Sequence, residues 1–375
     1  RYGARLRYNQ TVSDWMSISM GLNYNNSYSN EKPDGNVFWS PINTINITNN
    51  IWDITQRDEL GNLQSVEPTR VNPLSVIEDF DINQEVNRAI ADVKVSIFPF
   101  EGFSLTYLAG ADTYNQLGNT FIPPYPYSPV NPGYFDDGYA STATNQVFQM
   151  NHDINGAYTT IVTDNISSTT QFGFSSQFSK NQYTVADGRA LAPFVETVSG
   201  AANPFAPQSN IARLQIWGYY LQQTFSLKDR LFLTLAGRVD GASSFSPDNR
   251  NQFYPKVSGS YLISDEDFWQ GSGISNAVST FRLRASWGQA GNLTGIGPYD
   301  RFNNFSTGNL GGDLTINASN TLANPDVRPE RQTELEIGAD LSLFNDRVGL
   351  SATYYQQDIE DLLVERVLPA SQGGK

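Results

Sequence analysis

The 375-residue sequence contains no cysteine. Without thiols, the chain cannot form a disulfide framework, bind zinc through sulfur or use a thiol nucleophile. It has a single histidine, His152, and no G-x-S-x-G sequence, which argues against a Ser-His-Asp triad and a multi-histidine metal site. We therefore expect no enzyme activity, no catalytic residue, no bound metal and no cofactor.

Positive charge and long apolar runs are also scarce. Lysine and arginine total 24 against 38 acidic residues, a formal net charge of −14, which argues against nucleic acid as a partner. No apolar run approaches the roughly 20 residues of a membrane-spanning helix. Aromatic residues make up 13% of the chain, while the mean hydropathy is −0.40. This composition suits an outer-membrane β-barrel, in which every second residue meets lipid, and equally a secreted all-β protein.

The sequence is instead rich in period-two alternation, which is the signal of a β-strand. It is clearest in the segment from Arg331 to Asp358, where a turn at Asn345-Asp346 separates two alternating arms. Each arm is close to the roughly 9–11 residues that cross a bilayer at a tilt. Its acidic face cannot point at lipid, so we expect that face to line a wet interior. The apolar face of the first arm comprises Thr333, Leu335, Ile337, Ala339, Leu341 and Leu343.

Short turns and long loops alternate along the whole chain between about a dozen expected strands, as in outer-membrane barrels. A soluble sandwich has no reason for this asymmetry. The signal is weakest in the pair from Gln146 to Lys180, where serine and threonine dilute it. The sequence predicts an all-β fold, an antiparallel transmembrane β-barrel of which residues 1–375 form part, with short periplasmic turns and long extracellular loops. The long loops are expected before Asn83 and at Phe121–Gly138, Pro193–Pro207 and Gly291–Val327.

In the strand expected after Lys228 and in the strand expected from Ser279, arginines and carboxylates stay off the apolar face. A lysine or arginine facing lipid at the midplane costs about 2–4 kcal/mol, so these side chains are expected to face the lumen. We expect them to pair with one another or with a plug rather than to touch substrate. A half-exposed soluble sheet would show similar alternation. The candidate lumen residues are Arg238, Asp240, Arg282, Arg284, Glu334, Glu336 and Asp340.

Aromatic residues in the long loops are candidate ligand contacts. They could stack on sugar rings or apolar ligands, pack the loops together, or mark the membrane interface. Loop carboxylates at Asp79, Asp81, Asp136 and Asp137 have no EF-hand spacing, so a solvated acidic loop is favoured over a calcium site. The candidate loop contacts are Trp39, Trp52, Tyr125, Tyr127 and Tyr134.

Three segments resemble, in order and spacing, those of the SusC/RagA-type TonB-dependent outer-membrane transporters. The first, Arg238 to Trp269, begins RVDGASSF and contains the turn ISDEDF. The second is FRLRASWGQAGN, Phe281 to Asn292, and the third runs from NPDVRPE to YYQQDIEDLLV, Asn324 to Val364. Ser244 stands where the family often has arginine, and Pro329 where an aromatic residue is common. The first 210 residues match only in their strand-and-loop style.

The resemblance implies a barrel of about 22 strands with an N-terminal plug and a TonB-contacting segment. Such proteins import glycans or peptides, are capped by a SusD-type surface lipoprotein, and draw energy through TonB from the inner-membrane proton gradient. We expect the plug and the closing strands to lie outside this chain, in a longer protein of the Gram-negative outer membrane, with outer-membrane lipid around it. A siderophore or cobalamin receptor is the first alternative, and a secreted all-β adhesin or carbohydrate-binding protein the second.

Overall fold

The computed structural model describes residues 1–35, 37, 39–64, 66, 71–124, 137–311, 313–318 and 322–364. Antiparallel strands dominate it, as the alternation predicts. The strands are β1 Tyr2–Ser13, β2 Met16–Asn30, β3 Asp81–Ile97, β4 Phe103–Ile122, β5 Tyr139–Thr163, β6 Ile166–Leu191, β7 Ala201–Pro204, β8 Gln208–Leu227, β9 Leu231–Ala242, β10 Asn251–Leu262, β11 Val278–Asn292, β12 Phe305–Leu310, β13 Asp313–Ala318, β14 Glu330–Leu343 and β15 Val348–Glu360.

One sheet carries almost all of these strands. Its order is β1-β2-β3-β4-β5-β6-β8-β9-β10-β11-β14-β15, with β7 added beside β6. Neighbours in this order are neighbours in sequence except where a long loop carries its own strands, so the wall is an up-and-down meander. The turn predicted at Asn345-Asp346 is confirmed: these residues have φ of 56° and 64°, left-handed values that are typical of tight hairpin turns.

Short connections join the strands at one end of the wall, and most long ones lie at the other. Two connections differ from the expected pattern. Residues 243–250 link β9 to β10 in a compact turn at the long-loop end, and residues 263–277 link β10 to β11 through the short helix α3, Asp267–Gln270, at the short-turn end. The pair of strands predicted from Gln146 to Lys180, where the alternation is weakest, is confirmed as β5 and β6. At 25 and 26 residues these are the longest strands described.

The long loops contain structure that the sequence did not reveal. Residues 31–80 include the helices α1, Pro41–Ile47, and α2, Pro73–Glu78, and the loop after β11 includes the β12–β13 hairpin. Asn72 is fully buried and caps α2, accepting from Leu74 N at 2.9 Å and donating to the carbonyl oxygens of Ile54 and Gln64 at 2.8 and 2.9 Å. This one side chain therefore ties α2 to two distant parts of the loop.

The buried apolar cluster lies at the base of this loop rather than in the wall. It comprises Val71, Val76, Phe80 and Ile122, with Trp39, Ile82 and Tyr139 packed against it. The loop is thereby fixed over the ends of β3, β4 and β5. Within the described ranges, no helix has the length and hydropathy needed to cross a membrane.

Candidate functional site

Pairing across the sheet assigns every wall residue to one of two faces, because directly opposed residues point to the same side. Arg282 lies opposite Asp340, Asp340 opposite Ser351, and Arg284 opposite Ser260. Following these pairs from β15 to β1 collects most of the wall's charged residues on one side, which we call the polar face. Its charged members include Arg5, Arg7, Arg88, Asp92, Lys94, Asp112, Asp153, Arg238, Asp240, Lys256, Arg282, Arg284, Glu334, Glu336 and Asp340.

The opposite side carries an apolar belt, which is exposed although its side chains are large and apolar. Leu6 and Leu221, for example, are 66% and 60% exposed. In β3 the belt runs from Ala89 to Ile97, which is about 26 Å at about 3.3 Å per residue. Outer-membrane barrels have an apolar band about 25 Å tall. Other members of the belt include Tyr8, Met20, Leu22, Tyr24, Val93, Tyr107, Ile154, Phe174, Tyr219, Leu233, Val257, Leu283, Trp287, Leu335, Ile337 and Tyr354.

Three of the candidate lumen residues form one cluster on the polar face. Arg282 donates to Asp340 Oδ2 from Nε at 3.1 Å and from Nη2 at 3.0 Å, and Arg284 Nε lies 3.3 Å from the same oxygen. Ser351 donates to the other carboxylate oxygen at 2.7 Å, while Arg284 Nη2 donates to Thr353 at 2.6 Å. We call these five residues the Asp340 cluster. Two cations share one carboxylate, so donor capacity remains for a further anionic oxygen.

The remaining candidates lie on the same face but apart from this cluster. Arg238 pairs with Asp240, its neighbour two residues along β9, and donates to Ser175 at 3.2 Å. Gly218 makes room for the pair, because a Cβ there would lie 2.1 Å from an Asp240 oxygen. Glu334 accepts a hydrogen bond from Gln332 at 3.2 Å.

A hollow of about 550 Å³ lies on the polar face beside the Asp340 cluster. Its charged lining consists of Lys256, Arg282, Arg284, Glu336 and Asp340, so cations outnumber carboxylates. Neither Lys256 nor Glu336 has an ion-pair partner in the described part of the chain. The hollow can therefore offer an ammonium and two guanidinium groups to a carboxylate, a sulfate or a hydroxyl-rich ligand.

Two further polar-face pairs are absent from the candidates chosen from the sequence. Arg88 Nε donates to Asp112 at 2.9 Å, and Arg7 Nη2 lies 3.4 Å from Asp92. These residues alternate with the apolar residues of their strands, so the sequence pattern could have identified them as polar-face residues. His152 lies on the apolar side, where its ring Nδ1 is 2.8 Å from the hydroxyl of Tyr107.

Of the loop candidates, the structure describes two. Trp39 packs edge-on to Phe80 at 6.4 Å, in the buried cluster, whereas Trp52 is 41% exposed. Tyr125, Tyr127, Tyr134 and Asp136 lie outside the described residues. Among the residues that are described, no three His, Cys, Asp or Glu side chains cluster as metal ligands would.

The same loop holds one carboxylate in an ordered turn. Asp58 Oδ1 accepts from the backbone nitrogens of Leu60 and Asn62 at 2.9 and 2.8 Å, and Oδ2 accepts from the Asn62 side chain at 3.0 Å. These hydrogen bonds, that of the Asn62 side chain first, hold the pKa of Asp58 below its ordinary value.

Comparison with known proteins places these features in one family. Residues 2–375 match the family model described as TonB dependent receptor-like, beta-barrel. TonB-dependent receptor P26 of Formosa agariphila is 32% identical over 178 residues, which are 44% of this chain and 17% of that protein. TonB-dependent receptor P3 of the same organism is 29% identical over 207 residues, 54% of this chain and 20% of that protein.

The RagAB peptide transporter shares the fold. A chain of its structure aligns with 99% of this chain and 42% of its own length, at 18% identity and a TM-score of 0.79. The closed-closed state of the RagAB peptide importer gives a TM-score of 0.80. In every case this chain covers less than half of the relative's length. The transmembrane β-architecture and the family match over nearly the whole sequence show that the chain belongs to the TonB-dependent receptor-like β-barrels of the outer membrane.

Proposed function

We propose that this chain is part of the barrel wall of an outer-membrane importer that takes up oligomeric nutrients, either glycans or peptides, with energy supplied through TonB. The polar face lines the lumen, and the apolar belt meets lipid. The observation that carries this proposal is the segregation of charge: most wall cations and carboxylates share one face, and the belt occupies the other. Reversing the faces would place arginines in lipid at about 2–4 kcal/mol each near the midplane.

The Asp340 cluster and the hollow beside it form a polar section of the transport path. A volume of about 550 Å³ is comparable with sites for drug-sized ligands, which are about 300–1,000 Å³. The cluster's arginines pair chiefly with Asp340, and their remaining donors meet cargo transiently. Weak, exchangeable contacts of this kind suit passage better than tight binding does. The fold shared with a peptide transporter supports an oligomeric cargo.

The long loops are the proposed surface for cargo and for a SusD-type lipoprotein. The loop 31–80 supports this assignment, because its own buried cluster holds it in place over the wall and leaves Trp52 exposed. A plug that contacts TonB and the closing strands belong, in this proposal, to the longer protein. No catalytic role is proposed for any residue.

Co-purification from outer membranes tests the proposal. The full-length protein is solubilised in mild detergent and captured, and its companions are identified by mass spectrometry. We expect a SusD-type lipoprotein, and we expect cells lacking the gene to lose uptake of a labelled oligosaccharide or peptide library. Recovery without a lipoprotein, together with iron-regulated expression, would instead favour a siderophore or cobalamin receptor. Recovery from a soluble fraction would favour the secreted adhesin.

A further inference from the structure

Two cations lie directly opposite each other on the apolar side of the wall. Lys180 of β6 pairs with Arg213 of β8. Their face is fixed by Phe174 and Tyr219, members of the belt, whose ring centroids are 4.9 Å apart. Neither cation makes an ion pair with an acidic residue of the described chain. Because like charges directly opposed on a sheet are unfavourable, an anion from outside the described part of the chain would stabilise this pair.

The pair lies at one edge of the apolar belt. On this face of β6, Lys180 follows Phe178. The residue of β5 directly opposite Lys180 is Phe148, and the next β5 residue on this face toward the long-loop end is Gln146. The strand β6 runs from the short turn at residues 164–165 toward the long loop at residues 192–207. Since long loops of outer-membrane barrels are extracellular, this edge is at the level of the outer-leaflet headgroups. The polar row along the edge contains Asn87, Asn115, Gln146, Lys180, Gln182, Arg213 and Gln215.

A hollow of about 180 Å³ adjoins Lys180 on the same side. Amide side chains border it, Phe148 forms an apolar wall, and Lys180 supplies the charge. Amide nitrogens and an ammonium group all donate hydrogen bonds, and phosphate oxygens accept them strongly. The side chains on this face that line the hollow are Thr113, Asn115, Gln146, Phe148, Lys180 and Gln182.

We propose that Lys180, Arg213 and this amide-lined hollow bind a phosphate group on the headgroup of an outer-leaflet lipid. The phosphate satisfies both cations, the amides hydrogen-bond its oxygens, and the acyl chains continue down the belt past Phe148 and Phe178. A lone lysine at a membrane boundary needs only to extend its ammonium group into water. Two opposed cations beside a polar hollow provide, in addition, several hydrogen-bond donors that can contact one anion. The inference rests on the proposed assignment of the belt to lipid, but not on the cargo or on the SusD-type partner.

Native mass spectrometry of the full-length protein tests the site. The wild type, the variant K180Q/R213Q and the control R5Q/K94Q are purified in detergent and titrated with bisphosphorylated lipid A and with its dephosphorylated form. Arg5 and Lys94 lie on the polar face, so the control removes equal charge from the other side. One basic residue near an anionic membrane surface changes affinity about fivefold. We expect K180Q/R213Q to bind phosphorylated lipid at least about tenfold more weakly, with the control unchanged.

Three results would overturn the site: equal affinity in K180Q/R213Q and wild type, equal binding of dephosphorylated lipid A, or release of the lipid by millimolar inorganic phosphate, which would indicate a free-anion site. Heat-modifiable electrophoretic mobility verifies that each variant is folded. These results separate the site from the proposed function. If lipid binding is insensitive to the substitutions while the barrel is in the outer membrane and uptake continues, only the site fails. If the protein is absent from the membrane, the assignment of the faces fails as well.

Discussion

Arg282 and Asp340 lie directly opposite each other on β11 and β14, and the arginine donates two hydrogen bonds to one carboxylate oxygen at 3.0 and 3.1 Å. Arg284 approaches the same oxygen at 3.3 Å. Removing the carboxylate therefore leaves two neighbouring arginines unpaired, whereas removing Arg284 leaves a complete pair. The cluster predicts that these two substitutions have unequal effects.

Asp340→Asn should lower the free energy of unfolding by a measurable amount, which solvent screening of a partly exposed group keeps small. Arg284→Gln should lower it by less than half as much. Urea titration of the full-length protein in phospholipid vesicles, followed by tryptophan fluorescence, measures both. Glu334→Gln is the control, because among the described residues Glu334 accepts a hydrogen bond only from Gln332. A loss for Asp340→Asn no larger than that for Arg284→Gln would show that the shared carboxylate does not hold the cluster together.

Neighbouring residues of β11 provide a test of the two faces. Ala285 lies opposite Ile337 on the apolar side, and Ser286 lies opposite Glu336 on the polar side. Ala285→Arg should destabilise the barrel in vesicles by about 2–4 kcal/mol, because the new charge faces lipid. Ser286→Arg adds the same side chain near Glu336 and should change the stability by under about 1 kcal/mol. Equal losses would contradict the face assignment.

Close packing between β10 and β11 gives a prediction at a glycine. A Cβ added at Gly291 would lie 1.8 Å from the hydroxyl oxygen of Tyr254, which is only 4% exposed. Gly291→Ala must therefore displace a buried ring, and we expect a loss of about 1–3 kcal/mol from overpacking. Gly288→Ala is the matched control, since the nearest atom there is 3.5 Å away, on the flexible side chain of Lys256. A loss in the control as large as that at Gly291 would point to a general requirement for glycine in this strand.

Much of the wall was predictable from the sequence, because a strand with lipid on one side and water on the other must alternate. This physical constraint predicts the face of the sheet on which Arg282, Asp340 and their neighbours lie. It does not act beyond the bilayer, where both faces are wet. The upper parts of β5 and β6, the helices of the loop 31–80 and the β12–β13 hairpin accordingly had little signal. The pairing of Lys180 with Arg213 depends on the register between β6 and β8, which the alternation of either strand does not specify.

The loop 31–80 should depend on Asn72 more than on any exposed asparagine. In Asn72→Ala, the carbonyl oxygens of Ile54 and Gln64 and the Leu74 amide lose their partner, at about 1–3 kcal/mol for each group that is left buried and unsatisfied. Hydrogen exchange at residues 49–64 and 72–79 should accelerate at least about tenfold, while β14 stays protected. Asn43→Ala is the control, because Asn43 is only partly buried and its side chain donates to a single described carbonyl, Val37 O, at 3.1 Å. If β14 also exchanges faster, Asn72 stabilises the wall as well as the loop, and the local effect predicted here is wrong.

The most direct test of the wall is a spin-label scan along β14. Because the chain has no cysteine, single cysteines at residues 333–342 each place one label on the wall. Electron paramagnetic resonance in vesicles then compares collisions with oxygen, which is concentrated in lipid, and with a water-soluble nickel complex. Odd positions should favour oxygen and even positions, Glu334, Glu336 and Asp340 among them, should favour the nickel complex. If the odd positions were no more accessible to oxygen than the even positions, the apolar face would not meet lipid, as in a half-exposed soluble sheet, and the barrel-wall function would be wrong.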